Sequence, residues 1–503
     1  MFGHAIRDGI SLPPTVKNSP SPKVQKLRDF FLLCGLTIAG VLVSGYHYGI
    51  EDMGVYLPAF KKLLNPALYP YDANFFLLFV RWTTFHVAIA GAVRLLHVRL
   101  EPFVFCLHII SIFLVLLGCL QLARKCFSET LAQWSGVALV ATFFTMPVAG
   151  TYLFLVDQHL HPRTFSAACL LFAAVAALEK RPIALFWIFL SGLCHPTMAV
   201  YGTFHLLFLA WPRALSELSA PAVSVFPLEA HPNPIWREVM ADRSYHYPFS
   251  WAWYEWLGAL APIALLEYFA RVARRDNMPV LERVCRRLAI STSLGILISI
   301  VACQFLQTQT QTWARLEPMR VLHFTYVVFI LSSGAMLGKY ALRERPLRWM
   351  LLFLPLASIM CYAQRQEFSS SYHIEWPGRD PRNEWVKAFD WVRSNTPQSA
   401  LFALDPDYAS QPGEDYFGFR AYAERSMLAD GDKDASVVAL FPELAWQWKL
   451  EVSGRKNWRK FKLEDFKRLK KNYDVTWVIV RNGSSAGLPC SYENSAVTVC
   501  EIP

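Results

Sequence analysis

Four groups of residues have the types and spacing to do chemistry. Glu51 and Asp52 are adjacent carboxylates directly after the first long apolar run. Two acids at the mouth of a cavity can serve as a general base or hold a divalent cation; otherwise they are solvated loop acids. Asp157-Gln158-His159-Leu160-His161-Pro162-Arg163 packs an acid, two histidines and an arginine into seven residues. His159 and His161 share a face only in extended chain, so a zinc site would need a ligand from elsewhere. A polar, substrate-facing site suits the segment better. Arg315-Leu316-Glu317-Pro318-Met319-Arg320 follows a Gln/Thr-rich stretch, 307–312, and precedes an apolar run. Arg315 and Arg320 suit a phosphate or pyrophosphate through bidentate, charge-assisted bonds, or else snorkel to headgroup level. His195-Pro196 interrupts another apolar run, and a lone histidine there is more often a bonded core residue than a ligand.

The elements that must position these groups are membrane helices. Of 503 residues, 54% are hydrophobic and 17% charged, against roughly 25% charged in an average soluble domain. Apolar runs fall near 30–49, 75–97, 103–122, 134–156, 164–178, 183–211, 252–270, 288–306, 321–338 and 348–364. The formal charge of +10 sits in short segments beside these runs, as the positive-inside rule produces, with no basic and aromatic stripe for nucleic acid. Arg124/Lys125, Lys180/Arg181, Arg271–Arg287 and Lys339–Arg348 are the basic loops. They all fall on the side of the N-terminal tail (1–29, with Lys17, Lys23, Lys26 and Arg28) if 75–97 does not cross. That run carries Arg81, His86 and Arg94, and is expected to lie on the surface or re-enter within a long external loop, 50–102. Nine crossings then remain within a membrane domain, 30–364, and the C-terminal domain, 365–503, lies outside the cytoplasmic (inner) membrane.

That last domain reads as a small α/β layer fold. Helices are expected at 383–394 and 463–471, and strands at 400–404, 475–480 and 492–502. Cys490 and Cys500 are candidates to bridge a terminal hairpin. The other nine cysteines lie in or beside apolar runs without CxxC spacing, so burial is their default reading.

In this order the groups resemble the GT-C superfamily of membrane glycosyltransferases. The resemblance rests on Glu51-Asp52 within Tyr48-Gly-Ile-Glu-Asp-Met-Gly-Val-Tyr-Leu-Pro, on Asp157 as a second external acid, and on Pro162-Arg-Thr-Phe-Ser followed by Ser191-Gly-Leu-Cys-His-Pro. Tyr56-Leu-Pro through Leu68-Tyr-Pro-Tyr-Asp72, Asp390-Trp-Val-Arg-Ser-Asn-Thr-Pro and Phe419-Arg-Ala-Tyr-Ala-Glu-Arg also resemble bacterial membrane proteins related to that superfamily. The resemblance implies an α-helical polytopic fold and transfer of a sugar from a polyprenyl-phosphate donor to an extracytoplasmic acceptor. Glu51, Asp52 and Asp157 would be catalytic, with His159, His161, Arg163, His195, Arg315 and Arg320 binding substrate and membrane lipids surrounding the site. A divalent cation is a candidate cofactor. A non-catalytic assembly or binding protein is the alternative reading. A transporter fits less well, because the polar clusters sit near one face.

Overall fold

The computed structural model describes residues 22–210, 233–305, 315–484 and 487–503. Lys17 and the Gln/Thr-rich stretch 307–312 lie outside them. Among the described residues, six helices are long and apolar enough to cross a membrane: Lys23–Ser44, Leu100–Cys126, Trp253–Arg275, Pro279–Cys303, Pro318–Leu342 and Pro346–Glu367. A seventh candidate is the pair Asn74–Arg81 and Phe85–Leu96, bent by 97°. A pair bent this sharply is either a broken span or a re-entrant segment, and the second is the character expected of 75–97. Thr83 fixes it, because its Oγ1 donates to the carbonyls of Leu193 (3.2 Å) and Cys194 (3.0 Å) and accepts from the Phe85 amide (3.0 Å).

The expected nine crossings are not reproduced at spanning length. Run 134–156 holds only the helix Thr130–Thr142, after which Pro147–Val148 (β1) and Leu153–Phe154 (β2) form an antiparallel hairpin. Gly150, at φ +64°, supplies its turn. Run 183–211 divides into Ile183–Cys194 and Pro196–Ala210, because Pro196 has no amide proton to continue the helix. Pro162–Leu178 has 17 residues and is buried along most of its length. Its small side chains allow that: Ser166 meets Ser191 of the neighbouring helix at 2.6 Å. Glycine permits another close contact, since a Cβ at Gly136 would lie 2.6 Å from the Leu331 carbonyl.

The basic loops gather at one end of these helices. Arg124 pairs with Asp29, Lys125 with Glu179, and Lys339 with Glu129, while Tyr340 donates to Asp276.

The C-terminal domain is a five-stranded mixed sheet, ordered β4-β3-β5-β7-β6. Its strands are Leu401–Ala403 (β3), Ser426–Met427 (β4), Trp477–Arg481 (β5), Cys490–Glu493 (β6) and Val497–Glu501 (β7). β3 pairs in parallel with β4 and β5, and the other pairings are antiparallel. Alternation builds a core on each face. Phe402, Ile479 and Val499 meet Trp385, Phe389 and Val392 of the helix Glu384–Asn395, whereas Leu401, Val478 and Val480 meet Phe466 and Leu469 of the helix Leu463–Tyr473. Asn383 caps the first helix by accepting from the Trp385 (2.9 Å) and Val386 (3.3 Å) amides. Cys490 and Cys500 are disulfide-bonded across β6 and β7.

This domain is seated on the segment after the first helix. Tyr46 bridges to Ile374 and Ile50 to Phe417, and the Gly418 amide donates to the Gly49 carbonyl at 2.9 Å. The Leu68–Asp72 and Phe419–Arg425 stretches, far apart in the sequence, lie against each other. Arg420 pairs with Asp72, and the Tyr69 hydroxyl donates to the Arg420 carbonyl at 2.8 Å.

Candidate active site

The seat of that domain is where the acid pair lies. Glu51 takes a left-handed conformation, φ +49°, which an L side chain adopts only under constraint. Its amide is held by the Tyr416 carbonyl at 3.0 Å. Asp52 stands at the N-cap of the helix Met53–Leu64, yet its side chain makes no cap bond. The carboxylate turns instead to His161 Nε2, 3.0 Å from Asp52 Oδ2. His161 caps its own helix, because Nδ1 accepts from the Arg163 amide at 2.9 Å. An accepting Nδ1 leaves the proton of the neutral ring on Nε2, so His161 donates to Asp52. Tyr56, one turn along the Asp52 helix, also meets Nε2 at 3.3 Å.

Behind His161, Arg163 Nη2 donates to Asp157 Oδ1 at 2.6 Å, and both side chains are buried. The His159 ring is buried 5.8 Å from the His161 ring and makes no hydrogen bond among the described residues. The His195 ring stacks on that of His161 at 5.9 Å. The two arginines of the third group separate. Arg320 pairs with Glu317 and lies within electrostatic reach of His195 and Tyr56. Arg315 sits 5.8 Å from the Trp82 ring and feels the charge of Glu443.

Exposure divides the site into a floor and a mouth. The His161 side chain is 1% exposed and the Asp52 side chain 42%. Burial pushes the Asp52 carboxyl up, but Lys433, the His161 hydrogen bond and Arg163 outweigh it and hold it well below the usual carboxylate range. Burial raises Glu51, and Lys433 offsets this only in part. Asp157 is raised by burial too, yet Arg163, His161 and His159 bring it down to about 2. Burial lowers His159 to about 3, and burial with Arg163 lowers His161, so both rings are neutral near pH 7. The arrangement is an open, ionised carboxylate oriented by a neutral donor, beside a second carboxyl that takes a proton more readily.

Three participants escaped the sequence reading. Lys433 pairs with Glu51 and lies 3.5 Å from Asp52 Oδ1. Tyr56 and Glu317 complete the shell. Tyr56 had a signal, since it follows Asp52 by four residues and a helix puts i and i+4 on one face.

No family model matches the chain, and no curated protein matches it. Among solved structures, the chain is similar to the oligosaccharyltransferase of Archaeoglobus fulgidus. Against its apo form the TM-score is 0.45 at 11% identity, covering 91% of this chain and 70% of that one. Against the same enzyme with Zn and sulfate it is 0.42 at 12%, covering 90% and 68%. Against that archaeal enzyme, AglB, with an inhibitory peptide and a dolichol-phosphate it is 0.40 at 12%, covering 91% and 70%.

Proposed function

We propose that the chain is a GT-C-type membrane glycosyltransferase that moves a sugar from a polyprenyl-phosphate donor to an acceptor on the face where Asp52 opens. One observation carries this reading. An open carboxylate, oriented by His161 and backed by Arg163 and Asp157, shares the neighbours Tyr56 and Glu317 electrostatically with Arg320, which stands at the start of an apolar helix of spanning length. These shared neighbours support a reading with an acid for the acceptor and a cation for a lipid phosphate in one neighbourhood. In the transfer, the acceptor oxygen or nitrogen attacks the anomeric carbon. The bond from that carbon to the phosphate oxygen breaks, and the lipid phosphate leaves with the electron pair beside Arg320. The acceptor's proton passes to Glu51 or Asp52, of which Glu51 holds it more readily.

The gathered basic loops and the positive-inside rule support an inner-membrane protein with residues 365–503 outside. A divalent cation does not fit the acid pair as its residues stand. Lys433 already faces both carboxylates, and among the described residues no three His, Cys, Asp or Glu side chains converge as a metal-ligand set.

The test is binding of a fluorescent polyprenyl phosphate to the purified chain in nanodiscs, alongside sugar transfer in membranes. Arg320→Ala should weaken binding by about 10- to 100-fold, the worth of a charge-assisted bond of roughly 1.5–3 kcal/mol, while Arg320→Lys keeps part of it. Wild-type binding in both variants would reduce Arg320 to an interfacial anchor and remove the donor site.

A further inference from the structure

We infer that Lys433 is a built-in cation for the acid pair: its ammonium, delivered by the C-terminal domain, fills the place a divalent ion would otherwise take between Glu51 and Asp52. This rests on the function proposed above and names how the site balances its charge. Lys433 Nζ contacts Glu51 Oε2 and lies 3.5 Å from Asp52 Oδ1, so one donor group answers both carboxylates. Its side chain is 20% exposed, which keeps it at the edge of the mouth rather than in bulk solvent. Burial alone would favour the neutral amine, but Glu51, Asp52 and Asp432 outweigh it, so the group stays an ammonium throughout the working pH range.

The lysine is aimed by a fixed loop. Lys433 opens the helix Lys433–Leu440. Asp430 Oδ1 accepts from the amides of Asp432 (2.9 Å) and Asp434 (3.0 Å), and the Asp430 amide donates to Asp434 Oδ2 at 2.9 Å. Arg243 Nη2 donates to the Asp432 carbonyl at 3.0 Å. Asp434 is bonded through both oxygens to Arg420, which also holds Asp72. The ammonium is thus tied, through a chain of buried and part-buried bonds, to Asp72 on the stretch that follows the helix Met53–Leu64. A long side chain lying loose on the surface would have none of these ties. Lys433 is accordingly a positioning residue: it holds and neutralises the carboxylates, and they meet the substrate.

Manganese binding to the full chain in detergent, followed by electron paramagnetic resonance, separates this assignment from the transfer reaction. Wild type and Lys433→Arg should bind no Mn2+ that Asp52→Asn removes. Lys433→Met should gain a site at least tenfold tighter than wild type, and the double variant Lys433→Met/Asp52→Asn should lose it. Transfer should fall in Lys433→Met and recover in part in Lys433→Arg. Manganese bound by wild type and lost on Asp52→Asn overturns the assignment, whatever the activity. So does a folded Lys433→Met chain that gains no site. Should Lys433→Met fail to fold, the wild-type and Asp52→Asn arms still decide. Manganese results as expected in a chain without sugar transfer would count against the proposed function and leave Lys433 as the cation of the pair.

Discussion

Two clusters of charge join the same two segments of this molecule, and they are built on opposite terms. In one, Arg420 lies between Asp72 and Asp434, with side chains 6%, 3% and 1% exposed. Its Nη1 and Nη2 each donate to Asp434 at 2.9 Å, its Nε donates to Asp72 Oδ2, and that oxygen also takes the Met427 amide at 3.0 Å. In the other, Asp52 and Glu51 keep 42% and 35% of their side-chain surface open. Glu51 holds a strained backbone there, and the Asp52 carboxylate forgoes its cap. A closed ion network fixes a geometry, because any other arrangement strands buried charge. An open carboxylate on a strained turn leaves capacity for something that arrives. The Arg420 cluster docks the C-terminal domain, and the same docking brings Lys433 to the acid pair.

The sharpest way to break this contrast is to neutralise one charge in each cluster. Asp52→Asn is nearly isosteric, and under the proposed function it should lower sugar transfer by about 10²–10⁴-fold. Its melting temperature should move little, because a partly exposed charge is screened. Full transfer in this variant, with Glu51→Gln equally active, would leave a scaffold without chemistry at this site. Arg420→Met should do the reverse. Two buried carboxylates lose their partner, at a cost of about 3–5 kcal/mol, read as a large drop in melting temperature or as loss of folded protein. A stable Arg420→Met chain would mean that the docking does not depend on the ion network.

The clusters also differed in how well they could be read from sequence. Asp157, His159, His161 and Arg163 announced themselves by density, since a short segment brings its own residues together. Lys433 did not. It lies 382 residues from Glu51, and nothing local in its own stretch points to the acid pair. Arg315 and Arg320 looked equivalent by spacing, but Pro318 and the left-handed Glu317 between them turn the two apart. Asp72 and Arg420 stood out only as separate stretches, and nothing local could tell that they pair. In the fold, the period of 3.6 gave the helices Glu384–Asn395 and Leu463–Tyr473, whereas the one strand expected over 492–502 divides into the end of Cys490–Glu493, a bend, and Val497–Glu501. Hydropathy failed at 134–156, where a helix and a hairpin are both apolar enough to pass as one span. Strand Ser426–Met427 has two residues and shows no period at all.

A third experiment lies between the two clusters. Asp157 is buried like the Arg420 triad but belongs to the site. Its pKa of about 2 lies below the ordinary 3.8, so its contribution is complete above about pH 4 and is lost as pH falls towards 2. The amount at stake is about 2 kcal/mol. Thermal melts in detergent between pH 5 and pH 2.5 should show wild type losing this stability while Asp157→Asn, already without it, changes less. Parallel acid limbs for the two chains would show that the Arg163 pair does not stabilise the fold.

The smallest effect is expected at a pair that shares the seam with both clusters. Lys61 Nζ meets Glu424 Oε1 at 2.7 Å, joining the helix Met53–Leu64 to the C-terminal domain, and its side chain is 12% exposed against 27% for Glu424. The ammonium also donates to the Ala421 carbonyl at 2.7 Å, so removing the carboxylate charge leaves it a partner. Glu424→Gln keeps an acceptor oxygen at the same place, and water can reach the rim. The expected cost is below about 1 kcal/mol, in the range of an exposed ion pair. Chemical denaturation of Glu424→Gln beside Arg420→Met tests whether the seam is graded from a dry centre at Arg420 to a wet rim at Lys61. Equal losses in the two variants would mean that water is excluded from the whole seam. The openness of Asp52 would then be a local mouth in a closed interface rather than the edge of a graded one.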